Sequence, residues 1–140
     1  MKTSNSQMVE IPKFHEFMTP LLLVLRENGE MYRNDAFDAT IEKVGLTEEQ
    51  KSVIRESTNR SVARERVGWA SSYLKQAGGI IRPKRGYMYL GPNAEDFLSL
   101  GRLLTVADIK KTKEWQAIHN ARQASKNEDI YDSPNDQEND

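Results

Sequence analysis

Between positions 60 and 87 the chain gathers the residues best suited to chemistry, and that chemistry is the binding of phosphate. Arg60, Arg64, Gly68, Ser71 and Lys75 share a helical spacing. At about 100° per residue they fall together on one polar, basic face with no bulky apolar member. Arg82, Lys84 and Arg85 crowd a turn between two β-branched and aromatic runs, and Tyr87 follows directly. Guanidinium and ammonium groups donate charge-assisted hydrogen bonds to phosphate oxygens, and such contacts dominate affinity for nucleic acid. From Arg55 to Gly86, eight cations stand against two acids, a net of +6 in a chain whose total is only −1. A local patch sets nucleic-acid affinity, so the near-neutral total does not argue against it.

Other chemistries find no support. Glu49-Gln50-Lys51 formally satisfies the Glu-x-Lys motif of metal-dependent nucleases. It lies inside a helix-capping sequence, however, where two residues of separation turn the side chains about 200° apart. His15 and His119 are solitary and far from any partner at metal-ligand spacing. The chain has no cysteine, hence neither disulfide, thiolate metal site nor cysteine nucleophile. No glycine-rich phosphate loop is present. The reading is a non-catalytic chain that needs no cofactor and no metal.

The elements that must position the cations follow from periodicity. Ala63, Val67, Ala70, Leu74 and Ala77 recur at three and four residues and predict a helix over Ser61 to Ala77. Trp69 and Tyr73 widen that stripe and read as core. Arg66 lies at its margin, where its stem packs and its charge pairs with Asp35 or Asp38. Gly78-Gly79 stops the helix as a C′ glycine does. Ile80-Ile81-Arg82 and Tyr87 to Leu90 then read as strands around Pro83-Lys84-Arg85-Gly86, with Gly86 at positive φ. Met88 and Leu90 share the buried face and leave Tyr87 and Tyr89 outside. Upstream, Phe14, Phe17, Met18, Leu21, Leu22 and Leu25 are spaced for one helix face. Pro20 leaves two versions open, a kinked helix from Pro12 or a short turn and then a helix capped by Thr19 with Pro20 first. Asn34 caps a second helix with Phe37, Ile41 and Val44 inward. Thr47 to Gln50 is a capping box opening a third, with Val53 and Ile54 inward. After the break at Ser57-Thr58-Asn59, either Asn59 or Ser61 caps the basic helix. Helix, helix, helix, hairpin predicts a mainly α fold with a small β-hairpin, a winged helix-turn-helix whose last helix reads DNA and whose hairpin is the wing.

Beyond the hairpin, Pro92 or Asn93 opens another helix whose Ala94, Phe97, Leu98 and Leu100 can pack back. Thr105 with Asp108 makes a further capping box and heads one polar helix to about Ala124. The organisation read from this is a flexible N-terminus over 1–10, a winged-helix DNA-binding domain over 11–104 and a connector helix over 105–124. An acidic, disordered tail or linker over 125–140 completes it. The longest apolar run, Leu21 to Leu25, is far short of a membrane span, and the absence of cysteine fits a cytoplasmic setting.

A resemblance adds to this. Arg66, Trp69, Ala70, Tyr73, Leu74, Ala77, Gly78, Arg85, Gly86 and Leu90, with Phe14 to Leu22 upstream, are similar to the N-terminal domain of Mrr-like restriction endonucleases over roughly Ile11 to Leu100. After the second wing strand this chain has Gly91-Pro92-Asn93-Ala94, where that family usually continues with a Thr and, three residues on, a Gly. The resemblance implies a targeting domain for double-stranded DNA, with methylated DNA as the object of interest. It also implies a nuclease domain in full-length relatives. A winged-helix transcriptional regulator stays open, with the Thr105 helix pairing two copies as a homodimer. So does a winged-helix module that binds protein, because the fold does not dictate its ligand.

Overall fold

The computed structural model describes residues 9–125. Most of the expected flexible N-terminus and nearly all of the expected acidic tail lie outside those residues. Phe14–Phe17 forms one 3-10 turn that runs directly into helix α1, Met18–Asn28. The short turn expected before the helix is present, but neither the Thr19 cap nor the first place for Pro20 holds. Pro20 is the third residue of α1, where a backbone N–H has no carbonyl inside the helix, so its absence is harmless. Thr19 does not cap; its Oγ1 accepts a hydrogen bond from Leu104 N at 3.0 Å. Phe17, Met18, Leu21, Leu22 and Leu25 are completely buried, which makes α1 the axis of the core.

Strand β1, Met31–Tyr32, leads into helix α2, Arg33–Val44. The helix starts one residue before the expected Asn34 cap. Tyr32 occupies the cap position, and no side chain caps the helix. The first helical N–H, that of Arg33, instead donates to Gly86 O at 2.8 Å. Helix α3, Glu48–Lys51, keeps both halves of its capping box: Gln50 N donates to Thr47 Oγ1 at 3.0 Å and Thr47 N to Gln50 Oε1 at 2.8 Å. It lasts a single turn. Ile54, expected inward, is 49% exposed. Strand β2, Ile54–Arg55, pairs antiparallel with β3, Arg60–Ser61, around a turn in which Asn59 has φ of 60°. Two-residue strands carry no period to read, so this hairpin has no signature in the sequence.

Helix α4, Val62–Gln76, is capped by Ser61, whose Oγ accepts from Arg64 N at 3.2 Å. Its end is a Schellman motif, with Gly79 N donating to Leu74 O at 2.7 Å and Gly78 N to Lys75 O at 3.3 Å. Strands β4, Ile80–Ile81, and β5, Tyr87–Leu90, follow, and Arg82 lies in the turn rather than the strand. The antiparallel sheet has the order β1-β5-β4, with Met31 opposite Met88, Tyr32 opposite Tyr87, Ile80 opposite Leu90 and Ile81 opposite Tyr89. Ile80 and Met88 are buried on its inner face, as read for Met88. The departure at Gly91 has a steric reason. Gly91 N donates to Gly79 O at 2.8 Å, and a Cβ at Gly91 would sit 2.5 Å from Gly78 O.

Helix α5, Ala94–Leu98, has Asn93 at its cap position without a capping side-chain bond. The Asn93 amide donates instead to Ala77 O and to Glu114 Oε1, each at 2.9 Å. Leu98 packs on the core, whereas Leu100, expected to do so, is 43% exposed. The single helix expected from Thr105 is two: α6, Val106–Lys110, and α7, Lys113–Ser125. Thr112 divides them, because its Oγ1 accepts from Trp115 N at 3.1 Å and starts a new helix. The pair packs back onto the core through Ile109 and Trp115. The described residues are mainly helical with two small antiparallel sheets. No helix among them is long and apolar enough to cross a membrane.

Candidate nucleic-acid interface

Helix α4 presents a different face from the one its polar spacing suggests. Ser71 is 3% exposed and donates its hydroxyl to Gly68 O at 2.9 Å, so it does not reach a ligand. A Cβ at Gly68 would stand 3.7 Å from the Phe37 ring of α2. At Gly68 this side of α4 faces α2. Arg64 is taken up in the same contact. Its guanidinium donates to Asp38 through Nη1 and to Asn34 Oδ1 at 3.1 Å, and lies 5.5 Å from the Phe37 ring centroid. Lys75 remains exposed, with the half-buried Ser72 one turn before it. Trp69, expected in the core, is only partly buried and stands outside the apolar cluster. Tyr73 does pack on the core, between Phe14 at 4.7 Å and Trp115 at 5.2 Å. Arg66 pairs with neither Asp35 nor Asp38; its Nη1 donates to Ile11 O at 2.8 Å and Pro12 O at 3.2 Å. It pins the segment that enters α1. Asp38, one of the two acids expected to hold Arg66, holds Arg64 instead.

The β4–β5 turn carries three exposed cations, Arg82, Lys84 and Arg85. Lys84 Nζ lies 3.5 Å from Glu30 Oε2 and 4.5 Å from the Tyr87 ring centroid. Arg60, Lys75, Arg82 and Arg85 make no ion pair among the described residues. Beside Arg60, Arg55 is held by Glu65, Nε to Oε1 at 2.7 Å. Gly86 has φ of 82°, and a Cβ there would meet the Tyr32 ring at 3.0 Å. With Gly86 O bonded to Arg33 N, the turn is docked against the start of α2. That start also holds Arg64, so Arg33, Arg64 and Lys84 come together with Glu30 and Asp38 around one helix end. Arg33, 4.9 Å from the Phe37 centroid, is a member that sequence reasoning misses. Its signal is hidden because an Asn34 cap puts Arg33 outside the helix.

The formal Glu-x-Lys sits on helix α3, not on strands. Lys51 pairs with Glu42 at 3.0 Å and Glu48 at 3.1 Å, and hydrogen bonds to these carboxylates raise its ammonium pKa. Among the described residues, no group of three or more His, Cys, Asp or Glu could hold a metal ion.

The family model described as the Mrr N-terminal domain matches residues 14–99, more than half of the chain. The chain belongs to the Mrr N-terminal domain family. That domain belongs to Mrr-like restriction proteins and is not itself a nuclease domain. No curated protein and no solved structure matches this chain. Most residues that carry the resemblance to the Mrr N-terminal domain here serve the fold. Ala70, Leu74 and Ala77 are buried, Arg66 pins the entering segment, Gly78 closes α4, and Gly86 docks the turn. Two depart from this: Trp69 stands outside the apolar cluster, and Arg85 is exposed and makes no ion pair among the described residues.

Proposed function

We propose that this Mrr N-terminal domain is a winged helix-turn-helix that binds double-stranded DNA and targets an Mrr-like restriction system without cutting DNA itself. Helix α1, strand β1, helix α2, reading helix α4 and the β4–β5 wing follow the winged-helix order, with α3 and the β2–β3 hairpin inserted before the reader. The observation that carries the reading is the wing turn, where Arg82 and Arg85 are exposed without ion partners among the described residues. It comes immediately after a helix whose outward side leaves Lys75 exposed. A helix of this kind fits a major groove about 12 Å wide, while wing cations contact the phosphate backbone. Arg64, bound to α2, orients the reader and contacts DNA only by exchanging Asp38 for phosphate. The object of targeting in this reading is methylated DNA, as the resemblance to Mrr-like restriction endonucleases implies. The test is fluorescence anisotropy of methylated and unmethylated duplexes at rising salt. Binding that weakens steeply with salt and favours the methylated duplex supports the reading, and no duplex binding even at low salt overturns it.

A further inference from the structure

Apart from Tyr87, the outer face of the β1-β5-β4 sheet has a composition that duplex reading does not use. Residues directly opposite one another in a sheet project to the same side. Tyr32 is opposite Tyr87 and Ile81 is opposite Tyr89, and Tyr87 and Tyr89 share a side of β5. All four therefore line one face, and the buried Met88 and Ile80 lie on the other. A sheet face turned to water ordinarily carries polar residues. This one carries three tyrosines and an isoleucine, with Tyr32 and Tyr89 each 41% and Ile81 42% exposed.

We infer that this face is a stacking surface for a single strand of DNA. Tyr32 is held for it: its ring packs over Gly86 and meets Tyr87 edge-on, with centroids 5.5 Å apart. A pre-ordered ring loses little freedom when a base settles on it. Charge complementarity favours nucleic acid over an apolar protein partner, because Arg82 follows Ile81 directly and Lys84 lies over Tyr87. Glu30, 3.5 Å from Lys84, is the acid at that rim. Every base has a π-face, so binding of this kind tolerates sequence. The choice of DNA as the strand rests on the duplex reading proposed above; the stacking face does not.

The experiment titrates the full chain with a labelled oligothymidylate and, separately, with a duplex of random sequence. Tyr89→Ala is expected to weaken oligothymidylate binding roughly tenfold, the loss of one stacked base, and to leave duplex binding within about twofold. Tyr89→Phe, which keeps the ring, is expected to bind the single strand like the original chain. Arg82→Ala, Arg85→Ala together are expected to weaken the duplex more than Tyr89→Ala does. Failure to bind oligothymidylate, or equal single-strand binding by Tyr89→Ala, overturns the stacking face. A concentration-dependent dimer of the full chain that Tyr89→Ala abolishes overturns it too, because that outcome assigns the face to protein. Loss of duplex binding alone overturns only the duplex reading.

Discussion

At the scale of single residues, charge on this surface acts through its pairing as much as its position. Arg64 looks like a reader in the sequence and is half-buried against α2, its guanidinium shared by Asp38 and Asn34. Asp38 is thus both a restraint on a cation and a negative charge near the proposed DNA face. Asp38→Ala is expected to tighten duplex binding at low salt by up to about fivefold, since one charge at 4 Å in water is worth about 1 kcal/mol. Its effect on folding stability should stay below about 1 kcal/mol, as for other exposed ion pairs. Anisotropy and thermal melting check both, and weaker duplex binding contradicts the restraint. Gly91 illustrates the opposite kind of residue. A Cβ there would stand 2.5 Å from the Gly78 carbonyl oxygen, so backbone must move. Gly91→Ala is expected to lower stability by roughly 1–3 kcal/mol, the usual range for overpacking, measured by urea unfolding. Turn contexts mark Gly78 and Gly86 in the sequence, but a close approach between distant backbones leaves no local signal. Ser71 misleads for a related reason. A small polar residue on a helix reads as solvent-facing, and only the folded structure reveals that Ser71 is buried with its hydroxyl bonded to Gly68 O.

Among the elements, those with a period or a cap are legible in the sequence. The stripe of α4, the buried face of α1, the Ser61 cap and the boxes at Thr47 and Thr105 all come from residues three or four apart, within reach of one another in any helix. The β2–β3 hairpin, strand β1 and the division between α6 and α7 are not, since each is set by one or two residues whose role depends on distant partners. The Thr105 box also has a consequence in acid. Asp108 accepts from Arg102 at 2.7 and 2.9 Å and from Thr105 N at 2.8 Å. The Arg102 guanidinium first, then the Thr105 donors, hold its carboxyl well below the usual carboxylate range. A depressed folded pKa stabilises fully above the unfolded value, near about 4, and is lost as pH falls through the folded value. Melting temperature is therefore expected to fall between about pH 4 and pH 2, and Asp108→Asn is expected to flatten that fall while lowering stability at neutral pH. Equal acid dependence in the variant contradicts the role of Asp108. In the β4–β5 turn, Gly86→Ala combines a positive φ with a 3.0 Å approach to Tyr32. It is expected to cost roughly 1–2 kcal/mol of stability in urea unfolding.

For the molecule as a whole, the segment after Thr105 is part of the packed body. Ile109 is fully buried, Trp115 is 9% exposed and stacked on Tyr73, and His119 lies against Trp115 with centroids 3.9 Å apart. A chain ending at residue 104 is expected to melt well below one ending at residue 125, because loss of a buried tryptophan alone costs roughly 3–5 kcal/mol. Equal melting would make α6 and α7 the connector that composition suggests. The charge of the whole says little: the net of −1 hides +6 between Arg55 and Gly86. Affinity for DNA should then follow the few cations left without ion partners among the described residues. The most direct measurement is the salt dependence of duplex binding by the full chain and by the variant carrying Arg82→Ala and Arg85→Ala. The log–log slope is predicted to become shallower by about two in the variant, one unit for each lost phosphate contact, with much weaker binding at low salt. An unchanged slope and affinity would contradict the wing as the DNA contact.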